Sequence, residues 1–526
     1  MSQNRTKMIW LLMLLLLAAT MALASCSGGE RLLLAEYNRD AEAEIFLAEL
    51  GADASEWQSL AKDVRRTFIF EGEFATFVPD SNRILLWYED GNDVRIEQIE
   101  IGDESPTELL EGNVGDRLFA RYETDPFTVY VTESQDFSSY RCYVAQDGAK
   151  AERLARGTVC FMNENGVLQL DVDRNDALTL TLISLDGEDQ TVVLDEIEDV
   201  GTRVRNNQAM SQIAYVVRDR DEAQLFLIAP GDEAGEPLGE AFASIELFGF
   251  LGDDKTVYVV SRVKEDDDEV GLFINGTGDA LIEADEIRLM GQSEDGEFAI
   301  FAAESRGETA VFHYNLDDNT ATELLEEESV NLLGFVMDEH FLLKTVKNDE
   351  ETLYSVSQDG SEMVELLATD DYEILTVYFN QAAEQLLVQL QHKDDNYAYF
   401  VTGLTEEDGY FLVEDWYSLT ALNASDDQFV FWGREDQDDD VALYSIAWAE
   451  DASEVVLDDR ADFGFYSAFF AKDGRTLYYT AIDDGFGDFE VRTVPVDGSE
   501  SADRLYRDMV LLDVSWEEEA NFQRVR

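Results

Sequence analysis

A pair of β-strands joined by a tight turn recurs at intervals of about 43 residues, and this periodicity constrains the fold more than any other feature. The clearest copy, TLYYTAIDDGFGDFEVRTVPVDG at 476–498, has two runs of aromatic and β-branched residues around an acidic turn that contains glycine. This pattern is typical of a β-hairpin. Equivalent hairpins begin near residues 31, 84, 127, 167, 212, 256, 297, 340, 385, 428 and 476.

Each repeat also contains a strand before the hairpin and another after it. The preceding strand carries little charge, as in GTVCFMNENG at 157–166, whereas the following strand is more charged, as in SEVVLDD at 453–459. An uncharged strand suits the inner position around a propeller axis, and a charged strand suits an exposed outer edge. The sequence therefore predicts an all-β fold, a β-propeller built from about eleven four-stranded repeats of roughly 43 residues.

The number of repeats leaves the number of rings open. Eleven repeats exceed the typical four to eight blades of one propeller. We therefore expect two propellers, formed by residues 31–240 and 241–526, with one large ring as the alternative. The boundary between them is placed in APGDEAGEPLGEA at 229–241, the stretch whose composition most resembles a linker.

The two ends of the repeat region complement each other. The first repeat begins directly with its hairpin at residue 31, and DMVLLDV at 508–514 is an apolar strand with no hairpin after it. Propellers commonly close by pairing strands from both chain ends. We therefore expect the segment 508–526 to supply a C-terminal closing strand, which becomes the innermost strand of the first blade.

Two repeats resemble those of TolB-like, WD-repeat-like bacterial propellers. FFAKDGRTLYYTAIDDGFGDFEVRTVPVDG at 469–498 has the apolar run, Asp-Gly turn, strand, acidic turn, strand and closing Asp-Gly, and GQSEDGEFAIFAAE at 291–304 is a second match. The other repeats keep the strand rhythm without the full turn pattern. The resemblance implies the propeller fold for residues 31–515, but the α/β domain of TolB has no counterpart, so the role of TolB is not transferred.

The N-terminus has the features of an export signal. Arg5 and Lys7 precede an apolar run at 9–19, which is followed by Leu23-Ala24-Ser25-Cys26. These four residues resemble the lipobox of bacterial lipoproteins. The resemblance implies a signal peptide at 1–25, cleavage between Ser25 and Cys26, a lipid on Cys26 and a short tether at 26–30. The alternative is an ordinary secretory signal.

Either signal places the protein outside the cytoplasm. With a lipid on Cys26, we expect the protein to be anchored in the cell envelope, on the outer surface of the cell membrane or in an outer membrane. The lipid on Cys26 would then make the membrane one of the binding partners of the protein.

The charge of the chain is strongly negative. It contains 114 acidic and 37 basic residues, which gives a formal net charge of −77. Because this surface would repel phosphates, nucleic acid is excluded as a partner. Hydrophobic residues make up 45% of the chain, enough for a folded core, so the acidity does not indicate disorder.

Many of the carboxylates lie in the turns inside the hairpins. The richest clusters are Glu265–Glu269, Glu435–Asp440 and Asp483–Asp488. In a propeller these turns share one face, where a ring of carboxylates is a candidate site for divalent cations or a basic partner. None of the turns has the spacing of an EF-hand loop, and the alternative is a solvated acidic surface suited to high salt.

The remaining cysteines and the histidines are assigned no chemistry. Cys142 falls in the third strand of its repeat and Cys160 in the innermost strand of the next, on the order of 10 Å apart. Two buried thiols are therefore favoured over a disulfide, which remains the alternative. The histidines, His313, His340 and His392, lie in different repeats and are interpreted as ordinary strand or turn residues.

No known catalytic motif stands out. The chain lacks the G-x-S-x-G, Walker A, dinucleotide-binding and H-E-x-x-H patterns, so no catalytic, cofactor-binding or metal-ligating residue is assigned. We therefore favour a non-catalytic binding or scaffold module whose partner is a protein, a peptide or a glycan. The alternative is a hydrolase or lyase that acts on an envelope or extracellular polymer at carboxylates of the central channel.

Overall fold

The fold is all-β. The computed structural model describes residues 30–525 except for 38–41, 66–74, 79–80, 91–92, 104, 114–116, 125–126, 134–139, 147–148, 156–157, 164–165, 173–177, 188, 198–199, 208, 220–221, 253–255, 264–268, 294–295, 338, 382, 406–408, 460–463, 484–487 and 516–521. Forty-five strands and one 3-10 turn, Ala54–Glu56, are formed by these residues. None of the described segments is a helix of the length and apolarity that a membrane span requires.

The strands form eleven four-stranded blades, numbered here along the chain. The strands of blades 1–3, from the innermost outwards, are β44 (Met509–Val514), β1 (Arg31–Tyr37), β2 (Glu42–Glu49), β3 (Gln58–Arg65); β4 (Ala75–Phe77), β5 (Arg83–Asp90), β6 (Asp93–Glu100), β7 (Thr107–Asn113); and β8 (Arg117–Thr124), β9 (Phe127–Glu133), β10 (Tyr140–Gln146), β11 (Glu152–Ala155).

Blades 4–7 repeat the same order. Their strands are β12 (Thr158–Asn163), β13 (Gly166–Val172), β14 (Leu178–Ile183), β15 (Gln190–Ile197); β16 (Val200–Asn206), β17 (Ile213–Asp219), β18 (Glu222–Ile228), β19 (Glu236–Phe242); β20 (Ser244–Leu251), β21 (Thr256–Arg262), β22 (Val270–Ile274), β23 (Thr277–Ala284); and β24 (Glu286–Gln292), β25 (Phe298–Ser305), β26 (Glu308–Asn315), β27 (Thr320–Glu327).

Blades 8–11 complete the series, and one further strand lies outside it. These strands are β28 (Ser329–Val336), β29 (His340–Lys347), β30 (Glu350–Ser357), β31 (Met363–Thr369); β32 (Tyr372–Asn380), β33 (Gln385–His392), β34 (Tyr397–Thr402), β35 (Tyr410–Trp416); β36 (Ser418–Ala424), β37 (Gln428–Arg434), β38 (Ala442–Ala447), β39 (Val455–Asp458); β40 (Gly464–Phe470), β41 (Thr476–Asp483), β42 (Asp488–Pro495), β43 (Asp503–Arg507); and β45 (Phe522–Arg524).

The composition of each strand follows from its place in the blade. The second strand packs on both faces against neighbouring blades, so β25 reads as a continuous apolar run and its first six residues are buried. In the outer strand β27 no residue is buried, and three of the eight residues are glutamates. In every blade the second strand begins within one residue of the position expected from the repeat. This agreement confirms the predicted propeller of four-stranded blades.

Among the residues that the structure describes, the hydrophobic core is divided into eleven clusters, each between two successive blades. The cluster between blades 5 and 6, for example, joins Leu225 to Phe248 and Val259. The last cluster joins blade 11 back to blade 1 through Tyr478, Leu34 and Leu511. This cyclic succession is that of one large ring, the alternative arrangement, and not of the two propellers that the sequence favoured.

The boundary expected at 229–241 lies at an ordinary blade junction. The second half of this stretch forms β19, the outermost strand of blade 5. Immediately after it, the backbone N–H of Ala243 donates to the carbonyl of Arg262 in blade 6 at 3.0 Å. The blade 5 and blade 6 sheets therefore follow each other as directly as the other blades do.

The predicted closing strand is confirmed. β44 pairs antiparallel with β1, with Leu32 opposite Val514 and Glu36 opposite Met509. Asp513 of β44 extends the closure to blade 2, where its Oδ2 accepts hydrogen bonds from Thr76 Oγ1 at 2.7 Å and Phe77 N at 2.8 Å. The first blade is thus assembled from both ends of the repeat region.

Candidate functional site

The repeated topology gives the ring two different faces. Turns between the second and third strands of each blade share one face with the connections that enter the next innermost strand; we call it the hairpin face. Contacts between the two sets of loops confirm this placement. Asp285 Oδ2 accepts from Arg306 N at 3.1 Å in blade 7, and Glu328 Oε2 accepts from Asn348 N at 3.0 Å in blade 8.

The best-defined acidic cluster on the hairpin face is Glu435–Asp440 of blade 10. All six of its residues are exposed. The loop is ordered by its own contacts, because Asp436 N donates to Asp439 Oδ2 at 3.1 Å and the Arg434 guanidinium lies 4.9 Å from the centre of the Tyr417 ring. The carboxylates of this cluster are therefore presented to solvent by a fixed backbone.

The other two predicted clusters are only partly described. In Glu265–Glu269, Glu269 is exposed and 265–268 lie outside the described residues. In Asp483–Asp488, the two end residues pair across the hairpin and 484–487 lie outside the described residues. Within the described part of the chain, no three His, Cys, Asp or Glu side chains converge as metal ligands.

The face opposite the hairpin face carries the start of β1 and the end of β44. The Arg31 backbone N–H donates to Ser515 Oγ at 3.0 Å, so the start of β1 and the end of β44 meet there. The predicted signal peptide 1–25, the cleavage site at Ser25 and the lipidation residue Cys26 lie outside the described residues.

The central channel is bordered by the innermost strands. In blades 6–10 each of these strands has one more residue than the second strand opposite it, and this extra residue bends the strand. The extra residues are Glu246, Met290, Leu333, Leu375 and Leu422. Four of the five are apolar, and the sequence rhythm did not identify them because a single inserted residue hardly alters a 43-residue period.

The innermost strand of blade 9, β32, is paired along its channel-facing edge with an additional short strand, β45. β45 pairs antiparallel with β32 of blade 9, with Tyr378 opposite Arg524 and Asn380 opposite Phe522. Since β33 occupies the other edge of β32, β45 lies on the edge that faces the channel. The sequence did not predict this strand, because three residues give no recognisable period.

A buried ionic network joins blades 10 and 11. Arg492 of β42 donates from Nη1 to Asp458 Oδ2 of β39 at 2.6 Å and from Nη2 to Glu490 Oε2 at 2.8 Å. Tyr479 OH donates to the same Asp458 oxygen at 2.6 Å, and the half-exposed Arg504 donates to Glu490 Oε1 at 2.7 Å. Charges therefore alternate in sign from the interior to the rim.

The pKa values in this network follow from its contacts. Burial raises the pKa of Glu490, but hydrogen bonds from Arg504 and Arg492 outweigh it and hold the pKa below its usual value. Burial lowers the pKa of Arg492, but the hydrogen bonds to Asp458 and Glu490 raise it above its usual value. The contacts between Arg492 and Glu490 thus favour the charged forms of both side chains, and the network is a structural contact between blades.

The histidines lie in three separate places, as expected. His313 is buried between blades 7 and 8, where its Nε2 lies 2.9 Å from the Gln358 carbonyl. His340 Nδ1 lies 3.1 Å from Ser355 Oγ, and His392 Nδ1 accepts from Asp394 N at 3.1 Å. The structure brings none of the three together.

The cysteines occupy the strands that the repeat register assigned to them. Cys142 is a fully buried thiol in β10, the third strand of blade 3, and burial raises its pKa to about 12. Cys160 lies in β12, the innermost strand of blade 4, but its side chain is outside the described part of the structure.

A cleft of about 430 Å³ opens on the rim between blades 8 and 9. It is lined by residues 365–368 of β31 together with Phe400 and Gly409 of blade 9. The cleft combines residues of two repeats, so reasoning within one repeat could not locate it.

Comparisons with known proteins do not identify a family. No protein-family model matches the chain, and no curated protein matches it. Among solved structures, the chain is similar to a crystal structure of the eukaryotic initiation factor, at 9% identity over 94% of this chain and 98% of that chain, with a TM-score of 0.38. It is also similar to a crystal structure of the tricorn protease, at 11% identity over 92% of this chain and 54% of that chain, with a TM-score of 0.25.

Proposed function

We propose that this protein is an exported, lipid-anchored propeller that binds a partner at the cell envelope without catalysis. The observation that carries the proposal is the hairpin face, where the ring presents exposed carboxylates such as those of Glu435–Asp440. Propellers commonly serve as binding or scaffold modules. An ordered acidic face attracts and orients a partner with a positively charged surface.

A lipid at Cys26 would orient this face. Arg31 begins β1 on the face opposite the hairpin face, and the five Cα-to-Cα steps from Cys26 to Arg31 span at most about 18 Å. The anchor therefore holds the opposite face near the membrane and directs the hairpin face away from it. The partner that fits this arrangement is a protein or peptide with a basic surface on the far side.

Site-specific crosslinking on intact cells tests the proposal. A photoreactive residue at Asp438 lies on the hairpin face, and one at Asp318, an exposed residue of the turn between β26 and β27, lies on the opposite face. We expect the Asp438 probe to capture a protein, and the capture to be lost at high salt or when the acidic residues of 435–440 are replaced by their amides. Absence of a captured protein, or equal capture from both positions, would contradict the proposal.

The anchor has its own test. We expect the wild-type chain to incorporate labelled palmitate and Cys26→Ser to incorporate none and remain uncleaved, whereas the control Ser27→Ala behaves like the wild type. Equal incorporation by Cys26→Ser would remove the membrane from the proposal and leave the hairpin face as a binding surface.

Divalent cations are the remaining partner proposed for the acidic turns. Calcium prefers oxygen ligands, and carboxylates of the hairpin face supply them. Calcium in the low millimolar range should raise the melting temperature saturably and by more than sodium chloride of equal ionic strength. Equal effects of the two salts would mean that the carboxylates are only screened.

A further inference from the structure

The strand β45 occupies a position that no other described strand holds. It adds a fifth strand to blade 9, on the edge of β32 that faces the channel. Three residue pairs define its register, and the Val525 backbone N–H donates to the Val377 carbonyl at 2.9 Å just beyond them. An innermost strand can therefore bind an extended segment inside the channel.

Side chains as well as the backbone hold this segment. Val525 packs against the apolar cluster between blades 8 and 9, which includes Val377 and Phe379. Arg524, the preceding residue, is exposed. One side chain thus enters an apolar groove while its neighbour faces solvent, which is the alternation by which strand addition recognises a peptide.

The edge of β32 is built differently from the other innermost edges. With nine residues it is the longest strand in the described part of the chain. Its end is fixed to blade 10, because the fully buried Asn380 donates from Nδ2 to the Ser425 carbonyl at 3.1 Å. A long strand with a fixed end gives an incoming segment a defined register.

The charge of the bound segment also differs from that of the rest of the chain. FQRVR at 522–526 carries two arginines and no acidic residue, in a protein of net charge −77. The field of the acidic ring attracts such a segment. The segment is short, so its pairing is weak, and its covalent tether keeps it at high effective concentration near β32.

We propose that the channel-facing edge of β32 is a binding site for an extended peptide that alternates apolar and basic residues, and that β45 is its tethered occupant. This site is separate from the hairpin face and does not depend on the proposed function. An external peptide of the same chemistry binds where β45 is released.

A labelled peptide with the sequence ANFQRVR, corresponding to residues 520–526, tests the proposal by fluorescence anisotropy. Val525→Asp in the full chain should release β45, since a carboxylate cannot occupy the apolar groove. We expect the peptide to bind this variant at least tenfold more tightly than it binds the wild type. The matched control is Val456→Asp, because Val456 is 52% exposed on the outer strand β39 and should leave the site closed.

Two altered peptides separate the apolar from the basic contribution. Replacing the valine of the peptide by aspartate, or both arginines by glutamate, should each weaken binding to the Val525→Asp chain at least tenfold. A second variant, Gln523→Pro, removes a backbone N–H from β45 and should open the site as Val525→Asp does. With two independent variants, the proposal can still be tested if one of them fails to fold. Binding to neither variant, or equal binding to both variants and the wild type, would overturn the proposal.

Discussion

Two blade junctions of this ring join blades of the same strand order but differ in the side chains that they bury beside their apolar clusters. Between blades 10 and 11 the interface contains the buried network of Asp458, Arg492 and Glu490. Between blades 7 and 8 it is aromatic: the Phe298 ring lies 4.9 Å from the His313 ring and 5.8 Å from the Phe341 ring. The repeat therefore fixes where strands lie, while the junctions are free to use either kind of contact.

Different physical requirements limit which side chains the two junctions can accept. The charged junction requires every buried polar atom to have a partner, since an unpaired buried charge is very costly. The aromatic junction requires close packing: a Cβ at Gly360, whose φ is +67°, would lie 2.9 Å from His313 Cγ. One junction depends on pairing and the other on shape, so substitutions affect them differently.

The largest effect on stability is expected from a substitution that opens the ring between blades 11 and 1, because opening the ring should weaken both compared junctions at once. Leu511 of β44 is fully buried between blades 11 and 1, and Leu511→Asp places a carboxylate there without a partner. We expect a loss of more than about 4 kcal/mol in the free energy of unfolding. The control is Leu281→Asp, because Leu281 is 37% exposed on the outer strand β23.

Denaturant unfolding followed by circular dichroism measures that loss, and hydrogen exchange shows its extent. If the closed ring is cooperative, amides at both junctions lose protection in Leu511→Asp. Loss of protection confined to blade 1 would show that the junctions are stable without closure.

The second-largest effect on stability should distinguish the two arginines of the charged junction, Arg492 and Arg504. Arg492→Ala leaves Asp458 with uncompensated buried charge and Glu490 paired with Arg504 alone, and we expect a loss of about 3–5 kcal/mol in unfolding free energy. Arg504 is half exposed, so Arg504→Ala should cost about 1 kcal/mol or less. The loss in Arg492→Ala should persist in 1 M sodium chloride, since buried pairs are screened little; equal losses in the two variants would contradict the buried network.

Conservative substitutions should distinguish the junctions by a smaller amount. Arg492→Lys keeps the charge but loses the fork that reaches two carboxylates, and should cost about 2 kcal/mol or more. Phe341→Leu keeps an apolar side chain in the aromatic junction and should cost about 1 kcal/mol. Thermal and denaturant unfolding of both variants check this order, and a larger loss in Phe341→Leu would reverse the comparison.

The sequence predicted the positions of the strands because their pattern is local and repeated eleven times. It also predicted the closing strand at 509–514, since an unpaired apolar strand at one end matched a missing strand at the other. The number of rings depends on the angle between adjacent blades, which is set by the sizes of side chains at the junctions and not by the period.

The charged junction and the channel strand could not be predicted in the same way. Glu490 and Arg492 lie in the clearest copy of the repeat, where they were interpreted only as hairpin residues. Their partner Asp458 belongs to the preceding blade, so the contact appears only when two repeats are packed together. An E-x-R pair in a strand with both faces covered was the one available signal, because buried charges require partners.

The smallest effect concerns pH, which should weaken the two junctions in different ranges. Burial lowers the pKa of His313, and the hydrogen bond to the Gln358 carbonyl and the charge of Asp359 offset this only in part. The unfolded chain therefore binds a proton near pH 6.5 while the folded ring does not, so the contribution of His313 is present above about pH 6.5 and is lost as the pH falls below it. Glu490 also has a lowered pKa, which in a carboxyl group favours the charged form, and its contribution is kept above about pH 4.5 and lost only below it. Of the two junctions, only the aromatic one should weaken between pH 6.5 and 5. Hydrogen exchange measures this by comparing the protection of amides in β25 and β26 with that of amides in β41 and β42. His313→Gln, which has no titrating group, should abolish that pH dependence, and an unchanged dependence in this variant would assign it to another group.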